Sequence, residues 1–173
     1  GGVESNTTSD LIDDIERVRA LLRIDDWLVV GGSWGASLAI AYACAHQRAV
    51  QGLLLRSTFG ASRDDVAAFF EGGPFEGGID RVLDELRSSM LGHDVDRQRA
   101  TAIAWWRWER ARMGTVAGAT PPEGDTLAAV IDRYRVQSHY LFHDCWLAHP
   151  SLAQRCATLA QVPVAMLHGR DDR

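Results

Sequence analysis

Leu28-Val29-Val30-Gly31-Gly32-Ser33-Trp34-Gly35-Ala36-Ser37-Leu38-Ala39-Ile40-Ala41-Tyr42-Ala43 joins a short apolar run to a serine between glycines, then to a run of small and aliphatic helix formers. It reads as strand, sharp turn and helix. The turn fits G-x-S-x-G, in which glycines give the room and backbone freedom to lift one serine clear of a sheet on a strained strand-to-helix corner. Ser33 is therefore a candidate nucleophile. Such a corner also aims the backbone N–H of the next residue, Trp34, at a carbonyl under attack, beside the positive end of the new helix. The plainer reading is a tight turn in some α/β domain that carries a serine by accident.

The 173 residues are 46% hydrophobic with a formal net charge of −5, enough apolar content for a packed core and too little charge imbalance for disorder. Every basic side chain is an arginine, and the arginines are scattered among acids rather than gathered in a stripe. That distribution argues against nucleic acid or an anionic membrane as partner. Cys44, Cys145 and Cys156 are odd in number, widely spaced and set among apolar residues, without a metal-type C-x-x-C. They are expected to be buried thiols in a reducing cytoplasm. No apolar run is long enough to span a membrane, and the N-terminus lacks the features of a secretion signal. The chain opens on Gly1 rather than Met, so it is expected to be a fragment.

Outward from the elbow, Leu11, Ile15, Val18 and Leu22 repeat at helical spacing behind Ser9, a candidate N-cap, and predict an amphipathic helix packed on a sheet. Strands are expected at Trp27 to Val30 and Gln51 to Leu55, with a helix from the elbow to about His46. Helix, strand, helix, strand with short connections is the pattern of a parallel sheet covered on both faces. From Phe59 to about Gln154 the strand pattern stops. Helices are predicted over Arg63 to Phe70, Ile79 to Leu91, Asp96 to Arg112 and Asp125 to His139, broken by a glycine-rich loop and Pro121-Pro122. This stretch reads as a helical insertion, or cap. Val162 to Leu167 is a strand again, with Pro163 near its start.

At the C-terminal end of that last strand stands His168-Gly169-Arg170-Asp171-Asp172, where an open α/β sheet places ligand and catalytic groups. Two readings fit it equally: a carboxylate that orients a histidine toward Ser33, or a polar loop with a solvated acid pair. The other histidines show no metal-ligand spacing, and none of the six follows the acid. Trp105, Trp106 and Trp108 read as cap core with one exposed ring, or as a ligand cage.

Asn6-Thr7-Thr8, Asp14-Ile15-Glu16-Arg17, Trp27-Leu28-Val29, Gly31-Gly32-Ser33-Trp34-Gly35, Leu38 to Ala43, Trp108-Glu109, His139-Tyr140 and His168-Gly169-Arg170-x-Asp172 together resemble the proline iminopeptidases, α/β-hydrolase-fold serine peptidases that release an N-terminal proline. The resemblance is tightest before Arg56 and loose in the cap. It implies a partial α/β-hydrolase fold, a parallel sheet with flanking helices and an inserted helical cap. The implied domains are a discontinuous core over 1–58 and 157–173 and a cap over 59–156.

Carried over by position, the resemblance makes Ser33 the nucleophile, the N–H of Trp34 an oxyanion donor and Asp172 the triad acid. Arg56 and Phe59 line the active site, and Phe69 falls near the proline pocket. Glu109 matches a cap acid that holds the substrate's free amine, and Gln137 stands where the family has a second glutamate. Losing that anion, together with an aromatic at Leu141, is expected to move selectivity toward neutral or blocked substrates. The family's H-G-G-P-G oxyanion loop is expected upstream of Gly1 and its catalytic histidine downstream of Arg173, so the 173 residues alone are expected to be inactive. No metal or organic cofactor is implied, and the implied partner is a peptide with an N-terminal proline. An esterase or amidase on the same fold, or a non-catalytic hydrolase-like piece, are the competing readings.

Overall fold

The computed structural model describes residues 2–112, 114, 120–159 and 162–170. Its elements, in chain order, are α1 (Thr8–Leu21), β1 (Trp27–Gly32), α2 (Trp34–Ala45), β2 (Val50–Arg56), α3 (Arg63–Phe70), α4 (Ile79–Met90), α5 (Val95–Arg112), α6 (Gly124–Phe142), α7 (Leu152–Cys156) and β3 (Val164–Leu167). The backbone divides into two compact units. One is Ser5–Asp65 with Asp144–Arg173, and the other is Gly1–Glu4 with Val66–His143.

The first unit carries a three-stranded parallel sheet in the order β1-β2-β3. Parallel neighbours need crossovers, which α2 supplies between β1 and β2. β1 begins at Trp27 as the sequence predicts and runs two residues further, to Gly32. β3 starts one residue after Pro163, whose carbonyl accepts from Leu53 N at 2.9 Å, so the missing N–H of proline costs no ladder bond. α2 is apolar all round, as a helix pressed onto a sheet should be, and Ala36, Ala39, Ile40, Ala41, Tyr42 and Ala43 are buried with Leu53 and Leu55. Leu28 and Val30, on the opposite face of β1, are 59% and 65% exposed, so within these residues the sheet is covered on one face rather than two.

α1 departs from its predicted form at both the cap and the stripe. Thr7, not Ser9, is the N-cap: its hydroxyl accepts from Asp10 N and the Asp10 carboxylate accepts from Thr7 N, a reciprocal box that Ser9 has no acid positioned to make. The buried ridge is Thr8 and Ile12, followed one turn on by Glu16, while Val18 and Leu22 are exposed. Glu16 turns this ridge toward α2 rather than the sheet. Its carboxylate accepts from Tyr42 Oη at 2.9 Å and from Arg19 at 2.6 and 2.9 Å. The Arg19 guanidinium holds the Glu16 carboxyl down to about 2 against the opposing effect of burial, with Tyr42 adding to the pull.

The second unit is helical, with α4, α5 and α6 packed on one another. The predicted helices appear within three residues of their expected ends, α3 with the ends predicted. Val82, Leu83, Leu86 and Met90 of α4 recur at helical spacing and are buried. Trp105 is fully buried and stacks on Tyr134 of α6 at 4.3 Å and 7°. Phe70 lies 5.5 Å from Trp105 and stacks on Trp108 at 5.6 Å. The tryptophans are therefore core aromatics at Trp105 and half-buried ones at Trp106 and Trp108.

Candidate active site

The glycines of the elbow do different work. A Cβ on Gly31 would stand 2.2 Å from the carbonyl oxygen of Gly35 and 2.9 Å from Ala36 Cα, so only glycine lets the strand end and helix start approach this closely. Ser33 occupies φ 53°, ψ −125°, a left-handed conformation unfavourable for a residue with a Cβ. The corner is held there by two backbone bonds of 2.9 Å, Ser33 N to Arg56 O and Ala36 N to Ser33 O. Ser33 is exposed, and Trp34 is the first residue of α2, where backbone N–H groups point out of the helix. A strained serine over a helix N-terminus is the local geometry the motif predicts.

The C-terminal strand ends line up beside it. Gly32 of β1 is in register with Arg56 of β2, and Arg56 with Leu167 of β3. Ser33 and the His168-Gly169-Arg170 loop thus leave the same edge of the sheet. The Arg56 guanidinium lies 3.5 Å from where a Cβ on Gly32 would be, so this side chain lies across the elbow. Phe59 follows in the next loop, its carbonyl accepting from the buried hydroxyl of Ser37 on α2. Asp172, the expected acid, lies outside the described residues.

Phe69, Glu109 and Gln137 belong to the helical unit. Phe69 is half-buried and meets Trp108 edge-on at 5.0 Å. Glu109, on α5, is held by two residues of α6: Tyr134 Oη donates to its Oε2 at 2.8 Å and Arg133 at 3.1 Å. Burial, then the Glu109 carboxylate, pushes the Tyr134 phenol well above its ordinary value, so it serves as a neutral donor. Gln137 stands one helical turn beyond Arg133. Arg133 and Tyr134 are the residues the sequence reading missed; they lie 24 and 25 positions from Glu109, and no local pattern announces the pairing. Among the described residues no group of three His, Cys, Asp or Glu is placed to hold a metal, and no helix is long and apolar enough to cross a membrane.

The α/β-hydrolase fold family matches residues 3–173, taking in the elbow, the helical insertion and the last strand. The chain belongs to that family. Within it, the chain is 31% identical to a proline iminopeptidase of Arabidopsis thaliana, over 98% of this chain and 50% of the relative. It is 30% identical to the proline iminopeptidase of Neisseria gonorrhoeae, over 98% of this chain and 59% of the relative. The chain thus spans about half the length of the curated relatives it matches. Among solved structures, an N-acyl homoserine lactonase, AidH, in complex with N-butanoyl homoserine superposes with a TM-score of 0.56 at 20% identity, covering 99% of this chain and 54% of that one. VinJ superposes with a TM-score of 0.56 at 18% identity, over 99% and 59% of the two chains. At such identities the likeness is one of fold.

Proposed function

We propose that the protein to which this α/β-hydrolase chain belongs is a serine hydrolase of the prolyl aminopeptidase type, releasing N-terminal proline from peptides. The observation that carries the reading is the strained Ser33 at the glycine elbow, with Trp34 opening α2 behind it. Ser33 Oγ attacks the carbonyl of the N-terminal residue as a histidine takes its proton. Asp172 orients that histidine, the Trp34 N–H receives charge on the carbonyl oxygen, and water then releases the acyl-enzyme. The histidine is assigned to none of the six in this chain, because in this fold it follows the acid in chain order. Arg56 and Phe59 line the reacting centre. The helical stretch over 59–156 is read as the cap, with Phe69 contributing to the proline pocket. The similarity to proline iminopeptidases over nearly the whole chain supports a peptide as substrate.

In this reading Glu109 receives the substrate's free amine. Its carboxylate already accepts from Arg133 and Tyr134, and Gln137 supplies no second anion, two observations that favour the rival reading of an esterase or amidase acting on uncharged acyl groups. Turnover of proline anilide and N-acetylproline anilide by the full-length protein separates the two. Preference for the free amine supports the aminopeptidase, and preference for the blocked substrate supports the amidase.

A further inference from the structure

The three cysteines are not equivalent. Cys145 is 2% exposed, and burial, reinforced by Asp144, pushes its thiol up to about 12. Cys44 is half-buried near the end of α2, and Cys156, the exposed last residue of α7, lies near enough to bear on its thiol. Their approach is fixed from outside the pair. α2 packs on α7, and just past both cysteines the Gln47 side-chain amide donates to Thr158 O at 3.1 Å, joining the two chain segments within three residues of each thiol. The expectation of three buried thiols therefore fails at Cys156, because α7 is a short helix at the surface with its last turn open to solvent.

We propose that Cys44 and Cys156 are a redox-reactive dithiol, closed to an intramolecular disulfide by a peroxide and reopened by thiol reductants. The Cys156 thiolate attacks one oxygen of hydrogen peroxide; the O–O bond breaks, giving Cys156 sulfenic acid and, with the thiol proton, one water. Cys44 sulfur then attacks the sulfenic sulfur, the S–O bond breaks and a second water leaves, carrying the Cys44 proton. Two thiols lose two electrons to peroxide and two waters form. Burial pushes the Cys44 thiol up to about 11, which suits it to the second, resolving step rather than to first attack. In a reducing cytoplasm the pair rests open. Closed, it ties the helix that begins at the Ser33 elbow to the segment that enters β3.

The chain contains no lysine, so trypsin cuts at arginine and puts each cysteine in its own peptide: 24–48 holds Cys44, 136–155 holds Cys145 and 156–170 holds Cys156. Full-length protein is treated with hydrogen peroxide, alkylated, digested and mapped by mass spectrometry, with a dithiothreitol-treated aliquot alongside. The expected product is 24–48 joined to 156–170, two hydrogens lighter than the pair and abolished by dithiothreitol, with 136–155 recovered as the alkylated thiol. Because closure links positions 112 residues apart in sequence, the oxidised protein should melt on the order of 5–10 °C higher than the reduced one. In Cys44→Ala, Cys156 should advance to the sulfinic acid instead. Recovery of Cys44 as alkylated thiol beside overoxidised Cys156 in the wild type, or a product joining 156–170 of two molecules, overturns the proposal.

Discussion

The elbow around Ser33 and the cluster around Glu109 are held in place by different means. At the elbow the restraint is backbone: a glycine where no Cβ fits, two hydrogen bonds of 2.9 Å and a left-handed φ imposed on a serine. At Glu109 the restraint is side chain on side chain, a phenol and a guanidinium from α6 converging on one carboxylate oxygen of α5. Backbone restraint leaves little to adjust, which suits a group that must meet a carbonyl in one geometry. Side-chain restraint is adjustable one residue at a time, which suits the setting of specificity. The two places should therefore fail differently when altered.

The largest effect is expected at Gly31. Gly31→Ala drives a methyl into the Gly35 carbonyl, so the strand or the helix must shift, and kcat/KM of the full-length protein should fall by roughly a hundred- to a thousandfold, with a lower melting temperature. Gly35→Ala, with open space around the new methyl, should cost far less. Equal losses in the two variants would remove close packing as the reason for the elbow. In the helical unit, Trp105→Ala opens a cavity beneath Tyr134 and should cost about 3–5 kcal/mol of stability by chemical denaturation. A loss below 1 kcal/mol would mean the stacked rings are not that unit's core.

Glu109→Gln should lower kcat/KM for proline anilide by about ten- to a hundredfold and barely change it for N-acetylproline anilide, with Gln137→Glu acting in the opposite sense. Arg133→Leu sharpens this test. Freed of a half-exposed cation, Glu109 should draw the charged amine more strongly, by a factor of about five at most. Changes that ignore the charge of the substrate would take amine recognition away from these residues. The smallest effect concerns Glu16. Its carboxyl is held at about 2, below the ordinary value, so its contribution to stability is present above about pH 4.5 and is lost as the pH falls toward 2. Glu16→Gln should lower the melting temperature at pH 7, and the difference from wild type should disappear near pH 2. A difference independent of pH would assign the effect to packing rather than charge.

The elbow was legible in the sequence because its requirement is local: three glycines and a serine state which backbone conformations the corner needs. The helices were legible for the same reason, periodicity being a property of neighbours. What escaped is what distance in sequence hides. Glu109 finds Tyr134 only because α5 and α6 pack, and Cys44 finds Cys156 only because α2 meets α7. Even in α1 the stripe Leu11, Ile15, Val18 and Leu22 does not mark the buried face: Val18 and Leu22 are exposed, and the contact with α2 runs through Glu16, whose carboxylate accepts from Tyr42. In the helical unit periodicity announces the helices, Glu109 and Gln137 enter only through the resemblance, and the Arg133 and Tyr134 partners of Glu109 are announced by neither.

The most direct test of the central claim is the reaction of Ser33 itself. Full-length protein incubated with a fluorophosphonate, digested with trypsin and mapped should carry the label on peptide 24–48 at Ser33, in proportion to the loss of hydrolysis. Ser33→Ala should take no label there and lose turnover while its melting temperature holds. Label on another serine as activity is lost, or a Ser33→Ala protein within about tenfold of wild-type activity, would contradict the assignment of Ser33 as the nucleophile.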